Sequence, residues 1–182
     1  MRKVEKLAIF DLDDTLYQGN SHFEILNEYY HTRVFTGIFI RALGKLFPAF
    51  RLRLINIFYE HIPIEQRQKF LLPYRQDVLQ LLCAKQAEGY EAIIVSNAPK
   101  DLLLSAAQDL GLQYISARAH EKAKTICNEI KYNHLFVCTD NKTDTDLLNI
   151  ADEAVITCKN KHKEYFVKKL KNTDVKYKFM CP

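Results

Sequence analysis

Two hydrophobic patterns divide the chain. The first is a short continuous apolar run that ends in a polar cluster. It occurs at residues 6–11 (Lys-Leu-Ala-Ile-Phe-Asp), at 91–95 (Glu-Ala-Ile-Ile-Val, then Ser96 and Asn97) and at 135–139 (Leu-Phe-Val-Cys-Thr, then Asp140 and Asn141). A shorter run at 154–157 and a weaker one at 113–116 complete the set. Runs without alternation suit strands buried on both faces, as in a parallel sheet covered by helices. Helical periodicity fills the gaps between them, over 100–110 with Gly111 as its stop, over 120–130 and over 143–151. This alternation predicts an α/β fold, a doubly wound parallel sheet of the Rossmann-like kind.

The second pattern interrupts the first. From about residue 20 to 87 the periodicity is helical throughout, with no convincing strand, and Pro48, Pro63 and Pro73 divide it into three or four helices. The expected organisation is a catalytic core of residues 1–18 and 88–182 with a helical insertion, 19–87, covering the strand ends. No internal repeat or low-complexity segment is present.

Composition narrows the class. A chain of 182 residues with 48% hydrophobic and 26% charged residues is ordinary for one globular domain carrying an insertion. No secretory signal pattern opens it and no apolar run reaches the length of a spanning helix, so a cytoplasmic location is expected. The five cysteines, an odd number with no CxxC pair, are expected as reduced, small buried hydrophobes.

The net charge of +4 is unevenly spread. Residues 159–178 hold eight lysines against Glu164 and Asp174, a tail expected to form solvated helix faces. A second basic group, Arg41, Lys45, Arg51 and Arg53, lies among aromatics. No nucleic-acid-binding signature accompanies either, so no nucleic-acid partner is expected.

The chemistry-bearing residues gather at the predicted carboxyl ends of strands, where ligands bind in open α/β sheets. Asp11, Asp13, Asp14 and Thr15 follow the first run, Ser96 and Asn97 the second, and Asp140 and Asp144 the third of the stronger ones. Asp11 and Asp13, at i and i+2, point to one side of an extended segment. Their repulsion is relieved by a cation between them or by a proton on one. The arrangement suits Mg²⁺, with Asp140 adding a third oxygen ligand. A helix cap or Asx turn built from Asp13, Asp14 and Thr15 is the other reading of the same residues.

Taken together, these segments resemble the four motifs of the haloacid dehalogenase superfamily, in its phosphatase branch. Asp11-Leu12-Asp13-Asp14-Thr15 resembles the first motif and Ser96 the second. Lys122, within Glu121-Lys122-Ala123-Lys124, resembles the third. The stretch from Asp140 through Asn141 to Asp144, followed by Asp146, resembles the fourth. The resemblance implies a phosphomonoester hydrolase using Mg²⁺ and an aspartyl-phosphate. Asp11 would be the nucleophile, Asp13 the general acid and base, and Ser96 a phosphoryl contact. Lys122 would be the charge-neutralising group, preferred over Lys124 because Ile126 and Ile130 then share its helix face.

The resemblance further implies Asp11, Asp13 and Asp140 as metal ligands, with Asp144, Thr15 and Asn141 supporting them. Asn97, Asn20 and His22 would stand on the substrate side. The insertion resembles the helical cap of the subfamily that includes phosphoserine phosphatases and some phospholipid-precursor phosphatases. Where phosphoserine phosphatases carry a glutamate nine residues after the nucleophile, this chain has Asn20, so a different substrate is expected. A phosphotransferase to an acceptor other than water, and a non-catalytic phospho-ligand-binding module, remain open alternatives.

The insertion's apolar density, from Tyr29 to Tyr59, has two readings. It is either a small cap packing on itself or a surface for an amphiphilic phosphate with peripheral membrane contact. The sequence sets no oligomeric state.

Overall fold

A computed structural model describes residues 2–171 and 175–181, excluding the side chains of Phe39 and Arg41; Asp174 of the basic tail therefore lies outside the described residues. The chain begins with β1 (Arg2–Lys3) and β2 (Lys6–Phe10). Five helices follow: α1 (Ser21–Tyr29), α2 (Ile38–Leu46), α3 (Pro48–Glu60), α4 (Ile64–Arg67) and α5 (Gln76–Ala87). Strands and helices then alternate through β3 (Glu91–Ser96), α6 (Lys100–Leu110), β4 (Gln113–Ser116), α7 (Lys122–Glu129), β5 (Ile130–Lys131) and β6 (His134–Thr139). The chain closes with α8 (Thr145–Leu148), β7 (Glu153–Thr157), α9 (Lys163–Lys169) and β8 (Lys176–Met180). Six strands form one sheet in the order β4-β3-β2-β6-β7-β8, parallel at every pairing, and β1 pairs with β5 beside it.

Alternation along β2 explains why both faces are covered. Leu7 and Ile9 join a core cluster with Ile126 of α7, Leu147 and Leu148 of α8 and Phe166 of α9. Ala8 and Phe10 point the other way, against Val78 and Leu82 of α5 and Leu103, Ala106 and Ala107 of α6. Each face therefore buries a continuous apolar layer, the arrangement that the unalternating runs predict.

The helical insertion is smaller than its periodicity suggests. Two linkers run antiparallel where it leaves and rejoins the sheet: the Gln18 amide donates to the Pro73 carbonyl at 2.9 Å and the Arg75 amide to the Leu16 carbonyl at 2.8 Å. Tyr17 stacks on Tyr74 across them, with ring centroids 5.0 Å apart. α5, beyond Arg75, packs on the sheet through Val78 and Leu82, so the part that stands off the sheet is α1–α4 rather than the whole of 19–87. Its own core holds Ile25, Leu26, Phe35, Ile55, Tyr59 and Phe70, and Leu102 of α6 enters it from below. Ser105 of α6 donates to the Phe70 carbonyl at 2.8 Å, a second tie between cap and core.

Three expectations are corrected. The basic tail is not all helix: α9 takes part of it, and 176–180 form the edge strand β8, paired with β7 from Lys176 opposite Glu153 to Met180 opposite Thr157. Lysines on an edge strand discourage further pairing, which is why this strand lacks the apolar run of the others. The helix expected over 143–151 is a tight turn at 142–144 followed by one turn, α8. Of the cysteines, all free, only Cys138 and Cys158 are buried; Cys83, Cys127 and Cys181 are exposed. Among the described residues no helix is long and apolar enough to cross a membrane.

Candidate active site

The sheet register assembles the site. β2 connects outward through β3 to β4, whereas β6 connects outward through β7 to β8, so the winding reverses between β2 and β6. Such a switch point opens a crevice at the carboxyl ends of its two strands. Phe10 lies opposite Cys138 on one side and Ile94 on the other. Asp11 is the next residue after Phe10, Asp140 lies two beyond Cys138 and Ser96 two beyond Ile94. The Asp11 amide is held by the Cys138 carbonyl at 2.9 Å.

After Asp11 the chain makes a tight loop, closed by Leu16 N–H donating to the Asp11 carbonyl (3.3 Å) and Tyr17 N–H to the Leu12 carbonyl (2.9 Å). Asp14 takes a left-handed backbone at φ 56°, a region an aspartate tolerates better than most residues. The loop is pinned to β6 by Thr15, whose hydroxyl accepts from the Asp140 amide (2.9 Å) and donates to Asp140 Oδ1 (3.1 Å). Asn141 accepts from the amide and hydroxyl of Thr143, at 3.1 and 3.0 Å, and so starts the following turn.

Lys122, fully buried at the start of α7, reaches both Asp11 and Asp144. Its ammonium donates to Asp11 Oδ1 at 2.9 Å and to Asp144 Oδ2 at 2.6 Å. Thr139 donates to the same Asp144 oxygen at 2.7 Å. Asp146 accepts from the Ala123 amide at 3.0 Å and so holds the first turn of α7. Lys124 is exposed.

A cavity of about 500 Å³ lies between this floor and the cap. Asp11, Asp13, Ser96, Asn97 and Asn141 line it from the core, and Asn20 and His22 from the start of α1. Asn20 also accepts from the Phe23 amide at 3.3 Å and caps α1, and Ser96 Oγ accepts from the Ala98 amide at 3.3 Å. The cap adds Asn56, Tyr59, Glu60 and Arg67. Arg67, which pairs with Asp101 at 3.0 Å and lies 4.9 Å over the Tyr59 ring, carries no signal in the sequence, because its reach into the cavity depends wholly on how the cap docks. Asp140 and Asp14 face a larger cavity of about 710 Å³ on the far side of the Asp11 loop, bordered by Arg75, Lys159 and Lys161. The larger space is thus not the one that Asp11, Asp13 and Ser96 share.

Electrostatics follow from burial. Burial raises Asp13 to about 7, against hydrogen bonds from Ser21 that lower it and with help from the Asp11 and Asp14 charges. Burial and the neighbouring Asp11 and Asp14 charges raise Asp140 to about 8. For Lys122, burial favours the neutral form, but the carboxylates of Asp11 and Asp144 outweigh it and hold the ammonium above its ordinary value. His22, half-buried against Phe23 and edge-on to Tyr59 at 4.8 Å, is pushed down to about 4 by desolvation, and its Nε2 has no hydrogen-bond partner among the described residues.

The expected set of three carboxylates around one cation is not assembled. Asp13 Oδ1 accepts from the Ser21 amide at 2.8 Å, at the positive end of α1, and Asp13 lines the smaller cavity whereas Asp140 lines the larger one. Among the described residues no three acidic, histidine or cysteine side chains stand at metal-holding separation. Asp11, buried, and Asp140, half-buried, remain, and the Asp11 charge raises the cost of ionising Asp140. A pair of carboxylates is enough for Mg²⁺, which keeps several waters and takes substrate phosphate oxygens.

A doubly wound parallel sheet, an acidic loop after its central first strand and a buried lysine bridging two carboxylates define a class of α/β hydrolases with a helical cap. Residues 8–149 match the haloacid dehalogenase-like hydrolase family, and the chain belongs to that family. No curated protein matches the chain individually. Among solved structures, a phosphoserine phosphatase in apo form aligns over 98% of this chain and 93% of its own, with 16% identity and a TM-score of 0.65. A phospho-aspartyl intermediate analogue of phosphoserine phosphatase aligns over 97% and 92%, with 17% identity and a TM-score of 0.65. A substrate-bound phosphoserine phosphatase complex aligns over 90% and 91%, with 18% identity and a TM-score of 0.65. At these identities the likeness establishes the fold.

Proposed function

We propose that the protein is a Mg²⁺-dependent phosphomonoesterase working through an aspartyl-phosphate on Asp11. The observation that carries this reading is Asp11 itself. One carboxylate oxygen is fixed by Lys122, and the residue borders a cavity whose walls also hold Asp13 and Ser96.

In the first step an Asp11 oxygen attacks phosphorus and the ester P–O bond breaks. Asp13 gives its proton to the leaving oxygen. In the second step water attacks the phosphorus of the aspartyl-phosphate, Asp13 takes its proton, and the bond to Asp11 breaks. Lys122 offsets negative charge on Asp11 and the transferring group, a preorganised contribution that needs no rearrangement during reaction. Ser96 holds a phosphoryl oxygen. Asp11 and Asp140 would hold Mg²⁺, which supplies charge neutralisation to the phosphoryl oxygens. The cap over the cavity would shield bound substrate and the aspartyl-phosphate from bulk water. Asn20, standing where a phosphoserine phosphatase has a glutamate, and His22, uncharged at neutral pH, supply no anion for a substrate ammonium at the start of α1, and the cap's carboxylate in this cavity is Glu60.

The test is Asp11→Asn, assayed with p-nitrophenyl phosphate and Mg²⁺. Turnover is expected to vanish and the unfolding midpoint to stay within a few degrees. Chelator is expected to remove wild-type activity and Mg²⁺ to restore it. Near-wild-type turnover by Asp11→Asn, or full activity in excess chelator, would refute the mechanism.

A further inference from the structure

The cap exposes large apolar side chains where two of its helices meet. α2 and α3 form a hairpin, and its corner carries Leu46, Phe47 and Phe50, at 73%, 61% and 58% exposure. Ile38, at 82%, projects from the other end of α2. The cap core is already filled by Ile40, Ile55 and Tyr59 on the opposite sides of the same helices, so these groups are surplus to the packing of the cap. Scattered exposed apolar residues are ordinary, but three within five positions at a helix corner form a patch that calls for a covering surface.

Charge identifies the cover. Residues 29–59 contain no aspartate or glutamate, whereas they contain Arg33, Arg41, Lys45, Arg51 and Arg53. Arg33, Lys45 and Arg53 are exposed. Arg51 folds back into the hairpin over the Phe23 ring, at 5.6 Å, into space that the absent side chain of Gly44 leaves free. A second copy of this chain would bring the same cations against these. An apolar corner on a segment that carries cations and no carboxylate from residue 29 to 59 is complementary to a layer that is apolar inside and anionic at its surface.

We propose that the α2–α3 hairpin docks on an anionic lipid surface, with Leu46, Phe47 and Phe50 entering the acyl boundary and Arg33, Lys45 and Arg53 meeting the headgroups. Docking itself does not depend on the phosphatase reading.

Flotation of the full chain with vesicles tests it, using equimolar phosphatidylcholine and phosphatidylglycerol against phosphatidylcholine alone. Capture by the anionic vesicles at low salt is expected, with release in high salt because surface charge is screened. Leu46→Ser/Phe47→Ser/Phe50→Ser and, separately, Lys45→Glu/Arg53→Glu should each lower the bound fraction about tenfold or more, at an unchanged unfolding midpoint. Absence of capture, equal capture by neutral vesicles, or capture indifferent to both variants overturns the proposal. A concentration-dependent rise in mass that the serine variant abolishes, without capture, assigns the patch to self-association instead. Hydrolysis of p-nitrophenyl phosphate by the same samples is read separately. Hydrolysis without capture removes the docking alone, and capture without hydrolysis removes the phosphatase reading alone.

Discussion

Lys122 has no solvent contact and lies between two carboxylates, so its removal leaves two buried negative charges facing each other. Breaking a buried ion pair by removing one partner costs about 3–5 kcal/mol of stability. Losing a preorganised donor to the transferring group costs about 3 kcal/mol of transition-state stabilisation. Lys122→Ala is therefore expected to lower kcat by more than about a hundredfold and to lower the unfolding midpoint as well. Lys124→Ala, on the exposed side of the same turn, should change stability by less than about 0.5 kcal/mol and leave kcat near wild type. Steady-state kinetics and thermal melts of the two variants check this, and the reverse order would show that α7 presents its other lysine. His22 makes a second residue-scale prediction. Its folded value, about 4, lies below the ordinary 6.5, so between these pH values the unfolded chain takes up a proton that the fold refuses. Stability should then fall as pH drops from about 6.5 to about 4, with a full difference on the order of 3 kcal/mol, and flatten below. His22→Phe removes this proton uptake. The wild-type minus His22→Phe difference in stability, from denaturant melts across that range, isolates it from the carboxylates, whose raised values act in the opposite sense.

At the scale of elements, α7 is placed by the short α8 beside it. Asp146 caps the first turn of α7 through the Ala123 amide while Thr139 and Asp144 hold the lysine's far side. Asp146→Ala should cost about 1 kcal/mol, as for loss of a capping acceptor. It should also reduce kcat more than it raises KM, since the lysine it positions acts on the reacting group. A change confined to KM would leave Asp146 with no positioning role. This also marks where the sequence was legible. The strands β2, β3, β6 and β7 were readable because burial on both faces forces an unbroken apolar run, and the polar residue after each run marks its end. The edge strand β8 was not, because Lys176 and Lys178 give it the look of a solvated helix. Periodicity identified α5 as a helix but cannot say what it packs against, and Val78 and Leu82 turn out to face the sheet rather than the cap. Asp13 was legible as a site residue but not in its direction, which is set by the approach of the Ser21 amide at the start of α1.

Across the whole molecule the cavity and the hairpin share one helix. α3 presents Asn56 and Tyr59 to the reaction cavity, and its first turns carry Phe50 at the exposed corner. The four-motif pattern made the core half of the site readable before the fold was known. The cap half was not, since Arg67, Asn56 and Glu60 become neighbours of Asp11 only through the docking of the cap on α6, by Arg67 on Asp101 and Ser105 on the Phe70 carbonyl. The shared helix sets a consequence for substrate choice. If the hairpin docks on lipid, the cavity bordered by α3 lies close to that surface, and a phosphomonoester with an acyl tail can reach Asp11 with its tail still in the layer. Such a substrate keeps its apolar burial in both ground and transition states and is delivered at high local concentration. Its specificity constant should then exceed that of phosphoserine or a sugar phosphate by about tenfold or more, equivalent to about 1.4 kcal/mol of additional transition-state binding. Phosphate release from lysophosphatidate in anionic vesicles, compared with release from phosphoserine and glucose 6-phosphate in the same buffer, measures the ratio. The Leu46→Ser/Phe47→Ser/Phe50→Ser variant should lose the advantage for the vesicle substrate while hydrolysing the soluble esters as wild type does. A preference for the small polar esters, unchanged in that variant, would confine the hairpin to a role apart from substrate selection.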